Sequence, residues 1–233
     1  MGRAVNLVLW GAIAVMLAGV LSGGALAAPV FYTKAAVGET AGPVQFTGSV
    51  ATLTWESSPA RDKYVCKKGT GVGEVTGPTT IRRYTVVLTE CEGAELKCHT
   101  PGAGPDEIIV SGLQGTLGAL SPIKAGLRLE EEGGGQLAFV ECGGDVLEVS
   151  IEGAFYGEIT GVPAATSVAA ARLPASLTLV DAERNGIQKY VRFEGEAGEE
   201  QLNGTVNGKN EKQGVSATTK LVSDPSGDLG VIQ

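Results

Sequence analysis

Residues 79–91, TTIRRYTVVLTEC, decide the fold class of this chain. Tyr84, Val86 and Leu88 are separated by single residues of mixed polarity, and this period of two is that of a β-strand with one buried face. The stretch ends at Cys91, and all four cysteines lie within residues 64–144. We therefore interpret residues 64–144 as short strands pinned by disulfides, with the remaining strands packed onto them.

Short apolar or alternating runs continue on both sides of this stretch, each bounded by turn residues. Their positions are 44–55, 64–67, 106–111, 113–120, 127–129, 136–142, 146–151, 153–161 and 214–223. About a dozen short strands without helical periodicity predict an all-β fold, an antiparallel β-sandwich or barrel. The long crossover helices of a parallel α/β fold are missing from the pattern. An alanine-rich run at 164–173 is the one candidate for a short helix.

Two hairpins are predicted from turn chemistry. Asn185-Gly186 separates residues 176–183 from 187–194, and Asn-Gly supplies the positive φ angles of a type I′ turn. The charged, glycine-rich run at 130–135 separates 127–129 from 136–142 and predicts a second hairpin. Asn203-Gly204 and Asn207-Gly208 are two further turn signals.

The first residues predict export. A short basic start, an apolar run of about 15 residues and a small-residue site at 25–27 are typical of a secretory signal peptide, which forms a helix before cleavage. The apolar run is shorter than the ~20 residues that span a bilayer. We therefore expect a signal peptide at 1–27, a flexible arm at 28–43, a single β domain at 44–223 and a frayed tail at 224–233. The expected localisation is secreted, with membrane contact only during export.

Four cysteines in an exported chain favour a disulfide framework over a metal site. Three pairings are open, and the six-residue loop between Cys91 and Cys98 favours joining those two, which leaves Cys66 with Cys142. The spacings lack the C-x2-C pairs of zinc sites and the C-x-x-C of redox sites. Nothing in the sequence predicts a cofactor or a bound metal.

The charge excludes some classes of partner. The chain has 18 Lys and Arg against 26 Asp and Glu, a net charge of −8. Nucleic acids and anionic membranes attract basic surfaces, so neither is an expected partner. The acidic balance is typical of a soluble extracellular protein. A glycan or a cell-surface protein remains as a candidate ligand, and the oligomeric state stays open.

Candidate catalytic groups are few. His99 is the only histidine; Ser111 and Asp106 are imaginable partners, but no spacing demands them. Glu74 and Glu158 lie in similar sequences, GEVTGP and GEITGVP, 84 residues apart. A repeated strand-turn unit explains them more simply than a glycosidase-like carboxylate pair.

Several acidic and polar runs have ordinary explanations. Residues 130–132 are three glutamates, and Asp224 and Asp228 lie near the end, but neither group has the spacing of a calcium loop. Asn203-Gly204-Thr205 is a formal glycosylation sequon, whose weight depends on whether the source glycosylates.

A larger pattern resembles a known set of proteins. It consists of Cys66, the GEVTGP run at 73–78, Cys91, Cys98, LQGTLG at 113–118 and FVECGG at 139–144, followed by GEIT at 157–160. This order is similar to that of secreted, β-rich, four-cysteine proteins of high-GC soil bacteria. The resemblance covers residues 66–161 well and the rest loosely. It implies a secreted β-rich protein with these disulfides, and it implies no activity.

Two functions remain open from the sequence. The first is a non-catalytic secreted or cell-surface protein, a structural or binding module for a glycan or another protein. The alternative is a secreted polysaccharide hydrolase that uses two carboxylates. An exposed aromatic platform would favour sugar binding, and its candidates are Trp55, Tyr64, Tyr156 and Tyr190.

Overall fold

The computed structural model describes residues 29–33, 43–121, 124–160, 176–179, 182–183, 185–194, 200–223 and 229–232. These residues contain strands, turns and irregular segments but no helix. The predicted signal peptide and the alanine-rich run at 164–173 lie outside the described residues. The strands are β1 (Val30–Thr33), β2 (Val44–Ser58), β3 (Lys63–Val75), β4 (Thr80–Gly93), β5 (Leu96–His99), β6 (Glu107–Ser121), β7 (Lys124–Glu131), β8 (Gln136–Cys142), β9 (Leu147–Glu152), β10 (Ala154–Thr160), β11 (Ser176–Leu179), β12 (Ala182–Glu183), β13 (Ile187–Gln188), β14 (Leu202–Val206), β15 (Lys209–Ser223) and β16 (Leu229–Ile232).

Eight antiparallel strands close into a barrel, which decides between the two predicted architectures. Their order around the barrel is β11-β10-β7-β6-β4-β3-β2-β15, and β11 pairs with β15 to close the ring. Several of the strands are longer than predicted, because β2, β6 and β15 each have 15 residues. Closure leaves these strands without free edges over their paired lengths.

The barrel wall divides at β15 and at β4. One edge of β15 pairs with β14 through residues 209–213 and with β11 through residues 217–220. One edge of β4 likewise pairs with β6 along most of its length and with β5 at Glu92 and Gly93. The strands β14, β9, β8 and β5 form a branch that leaves the barrel at β15 and returns to it at β4.

The barrel and this branch share one apolar core. The core-facing residues of β2 follow a period of two on either side of an interruption at residues 51–52. Phe46 and Val50 precede it, Leu53 and Trp55 follow it, and all four are at most 5% exposed. The buried residues of the branch, among them Leu202, belong to the same apolar cluster. A small apolar cavity of about 40 Å³ lies in this core, lined by side chains of both the barrel and the branch.

Glycine makes room for aromatic rings inside the barrel. Gly71 on β3 faces the ring of Tyr84, and a Cβ at this position would lie 2.8 Å from that ring. The rings of Phe46 and Tyr84 pack with centroids 5.3 Å apart. Burial raises the pKa of the Tyr84 hydroxyl.

The two ends of the described chain pair with each other. β1 and β16 form an antiparallel ribbon in which Val30 lies opposite Ile232. The ribbon contacts the rest of the protein through Phe31, whose side chain is buried and whose N–H donates to the carbonyl of Pro78. The expected flexible arm and frayed tail therefore both contain a strand. These segments are short and have no clear periodicity, so the sequence did not predict the two strands.

The predicted hairpin at 130–135 is wrong. β7 pairs with β6 and β10, whereas β8 pairs with β5 and β9. The glycine-rich turn thus carries the chain from the barrel to the branch. Turn chemistry is the same for both kinds of connection, so the sequence could not distinguish them.

The Asn-Gly signals have mixed outcomes. A hairpin does form at Asn185-Gly186, but β12 and β13 have only two residues each. Asn207 and Gly208 have φ angles of 48° and 74° and form the turn between β14 and β15. Asn203-Gly204 lies inside β14, so the turn expected there is wrong.

Candidate functional site

The outer face of β7 and β10 carries a polar network. Alternation on β7 buries Leu127 and Leu129 in the core and places Arg128 on the outer face between them. Tyr156 and Glu158 on β10 lie on the same outer face. We call residues 185–194, which cover this face, the strap.

The strap completes the hydrogen bonding of a strand edge. β11 pairs with β10 only at residues 157–160, which leaves the edge of Ala154 and Tyr156 without a strand partner. The buried Gln188 side chain fills this place: its Nε2 donates to the carbonyl of Ala154 at 2.9 Å, and Tyr156 N–H donates to its Oε1 at 3.3 Å. A buried backbone edge needs such partners, so Gln188 anchors the strap.

The far end of the strap is anchored on β6. Glu194 Oε1 accepts a hydrogen bond from the N–H of Ala119 at 2.7 Å, and the Glu194 N–H donates to the Ala119 carbonyl at 2.9 Å. Phe193 is buried against Tyr156, with ring centroids 5.9 Å apart. A side chain at Gly118 would collide with Phe193 and Glu194, so glycine permits this close approach.

Arg128 is the centre of the network. Its Nε and Nη2 donate to the two carboxylate oxygens of Glu200 at 2.8 and 2.9 Å, a bidentate pair. Its Nη1 lies 2.5 Å from Oε1 of Glu130, which also accepts from the Gln114 amide at 3.1 Å. The Tyr156 hydroxyl donates to Glu200 Oε2 at 2.5 Å. The Arg128 guanidinium and the Tyr156 hydroxyl hold the pKa of Glu200 below its usual value.

A second cluster ties the middle of the strap to β7 and β10. Lys124 Nζ donates to Glu158 Oε2 at 2.8 Å and to the Tyr190 hydroxyl at 2.9 Å, and that hydroxyl donates to Glu158 at 2.6 Å. Lys124 and Lys189 both lie within 5.6 Å of the centre of the Tyr190 ring. Burial raises the pKa of Glu158, but the hydrogen bonds from Lys124 and Tyr190 outweigh burial and lower it overall.

Two polar concavities lie beside this network and meet at Asn203. The first has a volume of about 270 Å³ and is lined by Arg128, Glu130, Glu200 and Gln201 among others. The second has a volume of about 690 Å³. Its lining includes Ser58, Pro59, Glu152, Ile187, Thr205, Asn210, Glu211 and Lys212. Asn203 lines both, so we treat them as one surface and call it the outer groove.

All four cysteines form disulfides, but the expected pairing is wrong. The bonds join Cys66 to Cys91 and Cys98 to Cys142. Cys66 lies opposite Cys91 in the β3–β4 ladder, and Cys98 lies opposite Cys142 in the β5–β8 ladder. Cys91 and Cys98 belong to different ladders despite their short loop, so strand register, and not loop length, decides the pairing.

Glu74 and Glu158 do not form a catalytic pair. β3 and β10 lie on opposite sides of the barrel, with three strands between them in either direction. Glu74 lies between the core-facing residues Gly73 and Val75, so it faces outward, where Arg83 lies 3.5 Å away. The two carboxylates therefore point away from the barrel on opposite walls.

The other candidate groups are held in local contacts. His99 lies opposite Glu141 across β5 and β8, with Nε2 3.8 Å from the carboxylate, while Asp106 accepts a hydrogen bond from Lys97. Of the three glutamates at 130–132, Glu131 accepts from the Gly135 N–H and Glu132 pairs with Arg82. No grouping of His, Cys, Asp and Glu among the described residues could hold a metal ion. Asp224 and Asp228 lie outside those residues.

The four aromatic candidates for sugar stacking do not form an exposed platform. Trp55, Tyr64 and Tyr156 are at most 5% exposed. Only Tyr190 is partly exposed, and its hydroxyl and ring are engaged by Lys124 and Glu158. These four rings therefore do not provide an exposed surface on which a sugar could stack.

Sequence reasoning missed Arg128, Glu200 and the groove. The alternation Leu127-Arg128-Leu129-Glu130 does place Arg128 on an outer face, but charged outward residues are ordinary on a barrel. Glu200 is 72 residues from Arg128, and no motif links them. The sequence marks Asn203 only as part of a turn signal and of a sequon, whereas in the structure its side chain is exposed on β14 and donates to the Gln201 carbonyl.

No protein-family model, no curated protein and no solved structure matches the chain. Within the part of the chain that the structure describes, no helix has the length and apolar character to cross a membrane. Two disulfides in a compact β-rich fold are typical of extracellular proteins.

Proposed function

We propose that this protein is a secreted, non-catalytic binding module that holds a glycan along the outer groove. Secretion is supported by the signal-peptide pattern at 1–27 and by the two disulfides, which form in oxidising compartments. The observation that carries the proposal is that Asn203 joins two polar concavities into one surface. An extended polar ligand matches an extended polar groove.

The groups in the groove suit sugar hydroxyls. Asn203, Thr205 and Asn210 offer amides and a hydroxyl, each of which can donate or accept a hydrogen bond. Pro59 and Ile187 add small apolar contacts for the C–H faces of a sugar ring. The volumes of the two concavities are comparable to those of small-ligand sites in proteins, about 300–1,000 Å³.

The alternative of a carboxylate-dependent hydrolase gains no support from the groove. A glycosidase needs a general acid whose pKa is raised, so that it stays protonated until it is used. The carboxyl group of Glu200 has a lowered pKa because of Arg128, and Glu158 has a lowered pKa because its hydrogen bonds outweigh its burial. A binding module needs no such acid.

The test is a thermal-shift screen of the oxidised protein against cell-wall and soil polysaccharides and simple sugars. A ligand at 100 times its Kd stabilises by about 2.7 kcal/mol, which raises the Tm of a domain of this size by several degrees. We expect at least one glycan to do so, and we expect Asn203→Tyr to abolish the shift by filling the groove.

The matched control is Ser49→Tyr, which places the same side chain at another exposed strand position, on β2 and away from the groove. This variant should keep the full shift. A flat panel, or an equal shift in the wild type and Asn203→Tyr, would contradict the proposal.

A further inference from the structure

A group of polar side chains lies inside the core, close to the point where the barrel wall divides at β15. Gln213 is the last residue of β15 that pairs with β14, where it lies opposite Leu202, and it also lies opposite Ser57 on β2. Tyr64 on β3 lies opposite Trp55, two residues from Ser57 on the same face of β2. Gln213 and Ser57 are completely buried and Tyr64 is 2% exposed, so all three side chains face the core.

Gln213 and Tyr64 have polar atoms that no described residue satisfies. The Oε1 and Nε2 atoms of Gln213 and the Tyr64 hydroxyl are buried and have no hydrogen-bond partner among the residues that the structure describes. Gln188 is also a buried glutamine, but both of its amide atoms pair with the backbone of β10. Ser57 Oγ likewise accepts from the Asp62 N–H at 3.2 Å. Buried polar groups without partners are unfavourable, so Gln213 and Tyr64 indicate a bound molecule.

The unpartnered atoms define the chemistry of that molecule. The amide nitrogen of Gln213 needs an acceptor and its amide oxygen needs a donor, while the Tyr64 hydroxyl can take either role. Burial and the carboxylates of Asp62 and Glu211 raise the pKa of Tyr64, so its hydroxyl keeps its proton. A bare cation offers no acceptor to the amide nitrogen, and an anion is repelled by the two carboxylates. A small neutral molecule that both donates and accepts is required, and water has this chemistry.

We infer that water is bound inside the core between Gln213 and Tyr64, where it links β15 to β3 across β2. A buried water in a protein forms about three hydrogen bonds to polar groups that have no other partner. The apolar cavity of about 40 Å³ differs in this respect, because a cavity with an apolar lining stays dry. The inference does not depend on the proposed function, since the site belongs to the core.

The bound water specifies the register of β15. Beyond Gln213 this strand changes its partner from β14 to β11, so its register against β2 has to be fixed here. A slip of one residue would turn Gln213 to the outer face and separate it from Tyr64. The correct register alone therefore satisfies both polar side chains, and the alternative leaves Tyr64 buried without a partner.

The first measurement is magnetisation transfer from water to the oxidised protein by NMR. We expect the side-chain amide protons of Gln213 to show Overhauser contacts with water of the sign that a bound, slowly exchanging molecule gives. Laboratory-frame and rotating-frame spectra recorded together separate such contacts from proton exchange. The controls are the methyl groups of Leu88 and Val110, which line the apolar cavity and should show no contact. Assigned Gln213 amide protons without a bound-water contact would overturn the inference.

Two variants give a second, independent readout. Gln213→Met and Tyr64→Phe each remove hydrogen-bonding groups with little change in volume. Each leaves the water and the other side chain short of a hydrogen bond, so the unfolding equilibrium constant from urea denaturation should rise about tenfold. Gln45→Met is the control, because it changes an exposed glutamine on β2 and should leave this constant unchanged.

The sign of the change in Gln213→Met distinguishes the two possible states of the site. Without a bound water, the buried amide destabilises the native protein, so its removal would lower the unfolding equilibrium constant. A lowered constant, or an unchanged constant in both core variants, would overturn the inference. The NMR contacts are measured on the wild type, so they decide the question even if a core variant fails to fold.

Discussion

The chain is held in different ways in the strap and in the disulfide region, which contains the Cys66–Cys91 bond of the barrel and the Cys98–Cys142 bond of the branch. Both bonds join neighbouring strands, and all four cysteines are at most 1% exposed. The strap is attached to the outer face largely through hydrogen bonds of its side chains, with Phe193 as its buried apolar contact. The disulfide region is thus held by covalent bonds in an apolar surrounding, whereas the strap is held by polar contacts beside titratable groups.

This difference determines which part of the molecule is sensitive to pH and salt. Covalent cross-links inside an apolar core are insensitive to pH and salt. Partly exposed ion pairs such as Arg128–Glu200 weaken when a partner is protonated or screened. Glu200 and Ile187 both line the outer groove, so the proposed binding surface includes part of the strap and of its polar network.

The largest expected effect comes from removing the disulfides. The chain-entropy model assigns about 4 kcal/mol to Cys98–Cys142, whose cysteines are 44 residues apart, and about 3.5 kcal/mol to Cys66–Cys91, which are 25 apart. Each Cys→Ala pair should lose about that much free energy of unfolding, measured by urea denaturation. Unchanged midpoints would contradict the account, as would a non-reduced peptide map that links Cys91 to Cys98.

A smaller effect is expected from breaking the network under the strap. Arg128→Met leaves Glu200 and Glu130 without their cation, and breaking a fully buried pair costs about 3–5 kcal/mol. Because the Arg128 side chain is 20% exposed, we expect about 2 kcal/mol. Hydrogen exchange should show the loss at the Glu194 and Glu200 amides, which bond to Ala119 and Val191.

Arg61→Met is the control for this variant. Arg61 is exposed in the turn after β2 and has no ion pair with a described residue. Its replacement should leave both exchange and stability unchanged. Equal protection of the strap amides in Arg128→Met and the wild type would show that the strap does not depend on this network.

Acid is expected to loosen the strap before the disulfide region, with the smallest of the three effects. The pKa of Glu200 is lowered from its ordinary value of 4.5 by Arg128, and that of Glu158 is also lowered. Their contribution is therefore full above about pH 4.5 and is lost as the pH falls through the lowered folded-state values. Strap amides should lose exchange protection in that range while the β3–β4 amides around Cys66 and Cys91 keep theirs.

Glu200→Gln separates this effect from general acid unfolding. The amide does not titrate, so the variant should lack part of the acid-dependent loss while having a weaker strap at neutral pH. If the β3–β4 amides lose protection at the same pH as the strap, the two regions do not differ in the way described here.

The sequence predicted the class of fold because alternation is a local property. Residues 84–88 keep in the barrel the period of two that the sequence shows, and several turns followed from Gly, Asn and Pro alone. The disulfide pairing was wrong because the register that sets Cys66 opposite Cys91 is a property of two strands, not of one. The connection at 130–135 was assigned to a hairpin for the same reason.

The groove could not be predicted from the sequence. Arg128 and Glu200 meet only because the chain returns across the outer face of β7 and β10 after leaving the barrel. Asn203 joins the two concavities through the position of β14 between β9 and β15. In residues 185–206, neither feature produces a sequence pattern that differs from the pattern of an ordinary polar surface.

The most direct test of the central proposal is to map backbone amide chemical shifts by NMR during titration with the glycan that binds best. The account predicts that the largest changes cluster at residues 128–135, 152–154, 185–188 and 200–212, which surround the outer groove. It also predicts little change on the outward residues of β2 and β3, such as Ser49 and Thr70. Changes centred on Ser49 and Thr70, with the groove residues unmoved, would contradict it.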